Sequence, residues 1–522
     1  MRRSLLPLLA AALVVTGCTS LTAVDGNGQY AGDPIPGAPA PTTAAPAQPT
    51  ISPLTFDDCT SVIAPQIRDA DGGDRPLSFG CGKIRVPLDY RSPSTKAIDV
   101  FLVRARLGGQ QKRIGSLVVN PGGPGGSGVD AAIGLALSLP TDLLRRFDVV
   151  GFDPRGVGLS SPVDCIPDQL KERSIALDPD ARTAAAYQVQ LQVVKEISKA
   201  CAGRYGDDLQ HYNTEATARD LDLVRQAVGD PKLTYLGYSY GTRLGSVYAH
   251  LFPKRVRALV LDGAVDPRAG EVAGAQLQAA GFEKAFDQFA AECRARLAAC
   301  LIGPDPRATV MRLIDKARQT PVPGPRGRKA TAGHVLLAVV SALYDRGTWA
   351  ELESAIAEAN SGVANGVLAL ADAYSQRAAN GEFSNLSDAN TAINCADTKE
   401  KVPDATVRKT LTAWRTKYPM FGSALALGLL TCQQWAAPRQ PLPAVRAAGA
   451  PPLLVIGTVN DPATPYASAQ VLARTLASGR LLTWRGEGHT AYPKTPCVTA
   501  AVNAYLISLT APAAGASCAA SG

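Results

Sequence analysis

The chain has 522 residues, 46% of them apolar, which is too long for a single small module and fits one large α/β domain with an insertion, or two domains. Its formal charge of +8 is spread thinly, and the densest basic run, Arg326, Arg328 and Lys329, lies in a Pro/Gly-rich loop without interleaved aromatic residues. That pattern argues against nucleic acid as a partner and reads as a solvated loop.

At the start, Arg2 and Arg3 precede an apolar run from Leu5 to Val15 that ends in Val15-Thr-Gly-Cys18. The run is too short to span a membrane and has the form of a secretory signal, residues 1–18. A cysteine directly after small residues suits lipid attachment at Cys18, which would hold the protein on a membrane. Residues 19–53 are rich in Ala, Pro, Thr and Gly and bury no core, so they predict an extended tether. The expected location is therefore outside the cytoplasm, lipid-anchored at the cell membrane or envelope. The other cysteines are even in number and lack C-x-x-C spacing, which in an exported chain predicts disulfides rather than a metal site. Pairing of sequence neighbours gives the shortest loops: Cys59 with Cys81, Cys165 with Cys201, Cys293 with Cys300, Cys395 with Cys432, and Cys497 with Cys518.

Short β-rich runs then succeed one another: Gly82 to Pro87, Ile98 to Arg106, Ser116 to Asn120, and Phe147 to Phe152. Two lead into glycine-rich turns, Asn120-Pro-Gly-Gly-Pro-Gly-Gly-Ser-Gly128 and Asp153-Pro-Arg-Gly-Val-Gly158, and open α/β sheets place their sites at such carboxyl ends. Thr214 to Val228 has helical spacing. After it, Tyr235-Leu-Gly-Tyr-Ser-Tyr-Gly-Thr242 reads as a buried strand running through a sharp turn into a helix. The turn fits G-x-S-x-G, whose glycines let strand and helix pass closely while the apex, Ser239, is lifted clear as a nucleophile. Val256 to Leu261 is a further strand, ending in Asp262-Gly263, and the alternation predicts a mostly parallel sheet.

Beyond Pro267 the texture changes to Ala-rich segments of helical period, as in Phe282, Phe286, Phe289 and Cys293, in Val335 to Leu343 and in Val367 to Tyr374. The sheet pattern returns at Pro452-Leu-Leu-Val-Ile-Gly457, with a helix near Ser468 to Leu476, a strand at Leu481 to Trp484 and a helix from Val498 to Leu509. Residues 54–267 and 446–522 are thus expected to form one α/β core, and residues 268–445 a helical lid without strands, inserted over the carboxyl ends of the sheet.

A serine nucleophile needs a base, and the base an orienting acid. Of the four histidines, His211, His250 and His334 lie in or beside predicted helices and read as structural, whereas His489 follows the last strand in the small-residue loop Gly486-Glu-Gly-His-Thr490. The acid should fall between nucleophile and base in chain order, which selects Asp461 in Thr458-Val-Asn-Asp-Pro-Ala-Thr-Pro465; Glu487 is the rival. An oxyanion needs two backbone N–H donors, for which Tyr240 and Gly123 are the choices, with Gly122 in reserve. The glycine-rich loop lacks the Gly-Lys-Ser/Thr ending of a P-loop and the spacing of a dinucleotide site, so no nucleotide is expected there.

Taken together and in order, the Asn120 and Asp153 glycine-rich turns, Leu236-Gly-Tyr-Ser-Tyr-Gly-Thr242, Leu261-Asp-Gly263, and the Asp461 and His489 loops resemble the secreted tripeptidyl aminopeptidases of actinobacteria, relatives of the prolyl aminopeptidases, and above all their cell-envelope lipoprotein branch of serine proteases, which also goes under carboxylesterase A. The resemblance runs from about Cys59 to the C-terminus. Two positions depart from the common pattern: Pro121 stands where many α/β hydrolases have the histidine of His-Gly-Gly, and Thr490 where glycine is frequent. The resemblance implies an α/β-hydrolase fold, hydrolysis of peptides or esters, a peptide or protein substrate, and neither metal nor cofactor. An aminopeptidase must also hold a free amine, which calls for a carboxylate; Asp397, Glu271 and Glu283 are the candidates. An envelope esterase or lipase and an endopeptidase share the same triad and remain open at this stage.

Overall fold

The computed structural model describes residues 48–68, 70–399 and 401–520. The signal segment, Cys18 and the tether up to residue 47 lie outside the described residues.

Alternating apolar runs build a ten-stranded sheet, in which the strands are β1 (Asp57–Asp58), β2 (Leu77–Pro87), β3 (Ala97–Leu107), β4 (Gly115–Asn120), β5 (Phe147–Phe152), β6 (Leu233–Tyr238) and β7 (Val256–Asp262). A two-stranded ribbon, β8 (Val322–Pro323) with β9 (Lys329–Ala330), stands apart, and β10 (Leu453–Asn460), β11 (Gly479–Glu487) and β12 (Ser517–Cys518) complete the sheet. The order is β1-β2-β3-β5-β4-β6-β7-β10-β11-β12, antiparallel from β1 through β3 to β5 and parallel from there on. β2 and β3 extend beyond the β-rich runs visible in the sequence because they pair residue for residue from Leu77 opposite Leu107 to Pro87 opposite Ala97. The central strands β4, β5 and β6 are buried along their whole length, as expected of parallel strands covered on both faces.

Helices pack on both faces. The helix Gly128–Ser138 lies against β5 at a crossing where neither residue has room for a side chain: a Cβ on Gly151 would stand 1.9 Å from the Gly128 carbonyl oxygen. One apolar cluster, with Val118, Tyr235, Leu244 and Leu259, fills one face, and a second, with Leu117, Val119, Leu236 and Tyr505, fills the other.

Between β7 and β10 the chain is helical: Glu271–Ala295, Pro306–Gln319, Ala332–Leu343, Trp349–Asn360, Asn365–Ser375, Leu386–Asp397, Asp404–Lys417 and Gly422–Gly428. Two features differ from the sequence reading. The stretch expected to be free of strands carries the β8–β9 ribbon, with Arg326 and Arg328 near its tip; Arg328 pairs with Asp372 instead of standing solvated. The helix Ala184–Tyr205, expected in the sheet half, buries Tyr187 and Leu191 in the apolar core of the helical layer, so that layer begins before Ser239 in sequence. Its amphipathic face has two neighbours, and periodicity cannot say which one it covers.

The disulfides join Cys59 to Cys81, Cys165 to Cys201, Cys293 to Cys300, Cys395 to Cys432, and Cys497 to Cys518. Among the described residues no helix is long and apolar enough to cross a membrane.

Candidate active site

Ser239 stands between β6 and the helix Tyr240–Leu251 with φ +54° and ψ −121°, a conformation that non-glycine residues rarely occupy. Such strain costs about 1–3 kcal/mol and persists only where the surroundings over-determine it. Here the Ser239 N–H donates to the Asp262 carbonyl at 2.9 Å, and the Ser239 carbonyl accepts the Thr242 N–H at 2.9 Å and the Thr242 hydroxyl at 2.6 Å. Gly237 and Gly241 are forced by proximity, since a Cβ on Gly237 would lie 2.4 Å from the Gly241 carbonyl oxygen.

The loops after β10 and β11 bring Asp461 and His489 together. The His489 Nδ1 is 2.9 Å and 3.0 Å from the two carboxylate oxygens of Asp461, which makes Nδ1 the protonated nitrogen. Asp461 is itself fixed by the N–H groups of Ala463 and Thr464 and by the Thr464 hydroxyl. The other nitrogen, Nε2, is buried without a hydrogen-bond partner among the described residues. The imidazole lies over Gly263, where a Cβ would come 2.9 Å from its Cε1; Gly263 follows the residue whose carbonyl holds Ser239. Glu487 turns to the Asn460 side-chain amide instead.

Beside Ser239 runs the 120–128 loop. A Cβ on Gly122 would stand 2.9 Å from Ser239 Cβ, so this loop passes directly over Ser239. The Gly122 N–H donates to the Asn120 side chain at 3.1 Å, while Gly123 lines the cavity with Ser239 and Tyr240. Tyr240 opens its helix, where N–H groups have no acceptor within the helix. Its phenol meets the Thr214 hydroxyl at 2.6 Å, and that hydroxyl donates on to Asp397.

The carboxylates expected to hold an amine are placed elsewhere. Asp397 is buried and receives the Thr214 N–H and hydroxyl, so it braces the turn at Ser239 through Tyr240; burial raises its pKa to about 6 against the pull of those bonds. Glu271 is buried against the Thr398 hydroxyl and faces Arg439. Glu283 accepts the N–H groups of Met420 and Phe421 and pairs with Arg307. The charged side chains lining the cavity with Ser239 are Arg243 and Asp266. Burial raises the Asp266 carboxyl, and its own loop opposes this through the Arg268 N–H. Nothing in the local pattern around Asp266-Pro267 distinguishes it from a turn residue. His211 and His250 are held below the ordinary histidine range, chiefly by burial, and His334 caps its helix with Thr331; none of the three lines the cavity.

Comparison with known proteins shows the family. The family model described as alpha/beta hydrolase fold matches residues 115–496. The serine protease Hip1 of Mycobacterium tuberculosis is 37% identical over 98% of this chain and 96% of its own length. A tripeptidyl aminopeptidase of Streptomyces lividans is 34% identical over 83% of this chain and 82% of its own, and carboxylesterase B of Mycobacterium tuberculosis is 37% identical over 91% and 92%. The chain belongs to the α/β hydrolase family, in the group that these serine protease, tripeptidyl aminopeptidase and carboxylesterase relatives make up.

Proposed function

We propose that the protein is an exported serine peptidase that releases short peptides, tripeptides first among them, from free N-termini. The observation that carries this reading is the buried Asp461–His489 pair, whose Nε2 has no hydrogen-bond partner among the described residues, together with the strained Ser239. In the proposed cycle His489 takes the Ser239 hydroxyl proton as the oxygen attacks the peptide carbonyl, and Asp461 stabilises the imidazolium that forms. The N–H groups of Tyr240 and Gly123 receive the developing oxyanion; Gly122 is less suited because Asn120 already occupies its N–H. The imidazolium then gives its proton to the leaving amine, and water, activated the same way, hydrolyses the acyl-enzyme.

Asp266 is the group we assign to the substrate amine, since it is the carboxylate in the cavity wall. Arg243 faces Asp266 and Asp397, and Arg268 stands 3.9 Å from Asp266, so the assignment rests on the place of Asp266 in the cavity wall rather than on net charge. Export and anchoring through Cys18 rest on residues 1–18, and disulfide bonds fit an oxidising compartment.

The test compares a free-amino tripeptide anilide with its N-acetylated form and with a short-chain ester. Acetylation is expected to lower kcat/KM at least tenfold, and Asp266→Asn to remove most of that difference. An enzyme indifferent to acetylation is an endopeptidase or esterase, the second reading, which the carboxylesterase B relative favours. Ser239→Ala should abolish both hydrolysis and labelling by a fluorophosphonate.

A further inference from the structure

Each of the three loops assigned to catalysis is held from above by a different helix of the insertion. On the 120–128 loop, the Asn390 side-chain amide, from the helix Leu386–Asp397, donates to the Pro124 carbonyl at 2.9 Å, and Asn394 in turn donates to Asn390 at 3.1 Å. On the acid loop, Gln278 of the helix Glu271–Ala295 donates to the Ala463 carbonyl at 3.1 Å. On the base loop, the His489 N–H donates at 2.8 Å to the carbonyl of Tyr344, the C-cap of the helix Ala332–Leu343, and the Tyr344 ring meets the imidazole edge-on at 5.2 Å. Lys494 locks this contact, donating to the His489 carbonyl and pairing with Asp345, both at 3.1 Å.

Two of these bonds end on backbone carbonyls of the loops, and the third runs from the His489 N–H to a carbonyl of the insertion; such groups need a partner wherever they are buried. A lid that swung away would strip all three loops at once and leave buried polar groups unpaired, each at a cost comparable to a lost hydrogen bond. The Tyr344 carbonyl also belongs to the negative end of a helix, where a positive charge is favoured, and the charge that appears beside it during the reaction is the imidazolium.

We propose that the helical insertion is a fixed half of the catalytic apparatus rather than a moving lid, with Asn390, Gln278 and Lys494 as positioning residues for the oxyanion, acid and base loops. The proposal rests on the peptidase reading above and adds that substrate reaches Ser239 while these contacts stay closed.

The experiment uses the full chain and a soluble short-chain ester, too small to reach across the cavity. Asn390→Asp keeps size but loses the donor; Gln278→Glu does the same, and Lys494→Met removes the clamp at a half-buried site. Each is expected to lower kcat about tenfold with KM within twofold, as loops displaced by less than 1 Å would give. Lys494→Arg, which keeps the donor, should restore most of the activity. Circular dichroism and thermal unfolding identify any variant that misfolds, and the proposal is then read on the others. Unchanged kcat in the folded variants, or a rise in KM alone, overturns it, because the insertion would then only touch substrate. Wild-type protein that fails to react with a fluorophosphonate overturns instead the peptidase reading beneath it.

Discussion

Gly281→Ala puts a single methyl group between the insertion and the acid loop. The residue lies within the helix Glu271–Ala295, and its missing side chain faces the chain just past Asp461. A Cβ there would stand 2.5 Å from the Pro462 carbonyl oxygen, 2.8 Å from Pro465 Cγ and 3.2 Å from the Asp461 carbonyl oxygen. Against about 3.5 Å for a relaxed contact, the shortfall is about 1 Å, and the nearest atom is backbone that cannot rotate aside. Alanine in place of glycine favours the helix by about 1 kcal/mol, while overpacking costs about 1–3 kcal/mol. The fold should therefore lose no more than about 2 kcal/mol, a fall in Tm of only a few degrees for a chain this long. The acid loop, however, must move by a large part of that 1 Å and carry the carboxylate that orients His489. Misplacement on this scale lowers the rate about 100-fold. The assay is kcat/KM on the tripeptide anilide together with thermal unfolding. A variant with wild-type turnover and an unchanged or higher Tm would show that helix and loop separate freely, and the reasoning would fail.

Gly122→Ala should abolish turnover in a folded protein, since its Cβ would press on both Ser239 and the Tyr240 N–H; retained labelling by a fluorophosphonate would count against this. Asp397 sits at about 6 in the fold against 3.8 in the unfolded chain, so the folded state holds a proton longer and stability falls as pH rises from about 4 to about 6, then levels off. The shift amounts to about 3 kcal/mol at 1.36 kcal/mol per unit. In denaturant unfolding, Asp397→Asn should gain on the wild type by about that amount between pH 4 and 7, and parallel profiles would refute it. Removing Cys395 and Cys432 together opens a loop of 37 residues and should cost about 4 kcal/mol by chain entropy. An unchanged denaturation midpoint would contradict that.

The parts legible in the sequence were those with a local signature. Two glycines around Ser239, a Pro-bearing turn after the strand at Leu453 and a small-residue loop around His489 each report a backbone that must turn sharply at a strand end. β5, Phe147–Phe152, has the same limits in sequence and structure because both faces are buried and its apolar run is unbroken. What the sequence did not disclose depends on distant neighbours. Asp397 stands in a helix where nothing local separates a cavity carboxylate from one that caps Thr214, 183 residues away. β12 comprises Ser517–Cys518 alone and exists because it lies beside Thr483 and Trp484 on β11, with Cys518 tied back to Cys497. Tyr344 and Lys494 were silent for the same reason: their roles lie in what stands opposite them.

β7 and β10 are adjacent in the sheet, Val260 beside Leu454, although nearly two hundred residues separate them in the chain. The insertion therefore leaves and re-enters the core at neighbouring points, and the sheet closes without it. Such a cassette is easily exchanged over evolutionary time, and with it the shape of the cavity roof. In this protein the exchange carries a condition. An incoming cassette that fits a new substrate but brings no donor for Pro124, no partner for Ala463 and no helix end for His489 alters turnover along with selectivity. Diversity among such enzymes should accordingly run in the cavity-facing side chains, while the three points of attachment vary together with the loops they hold.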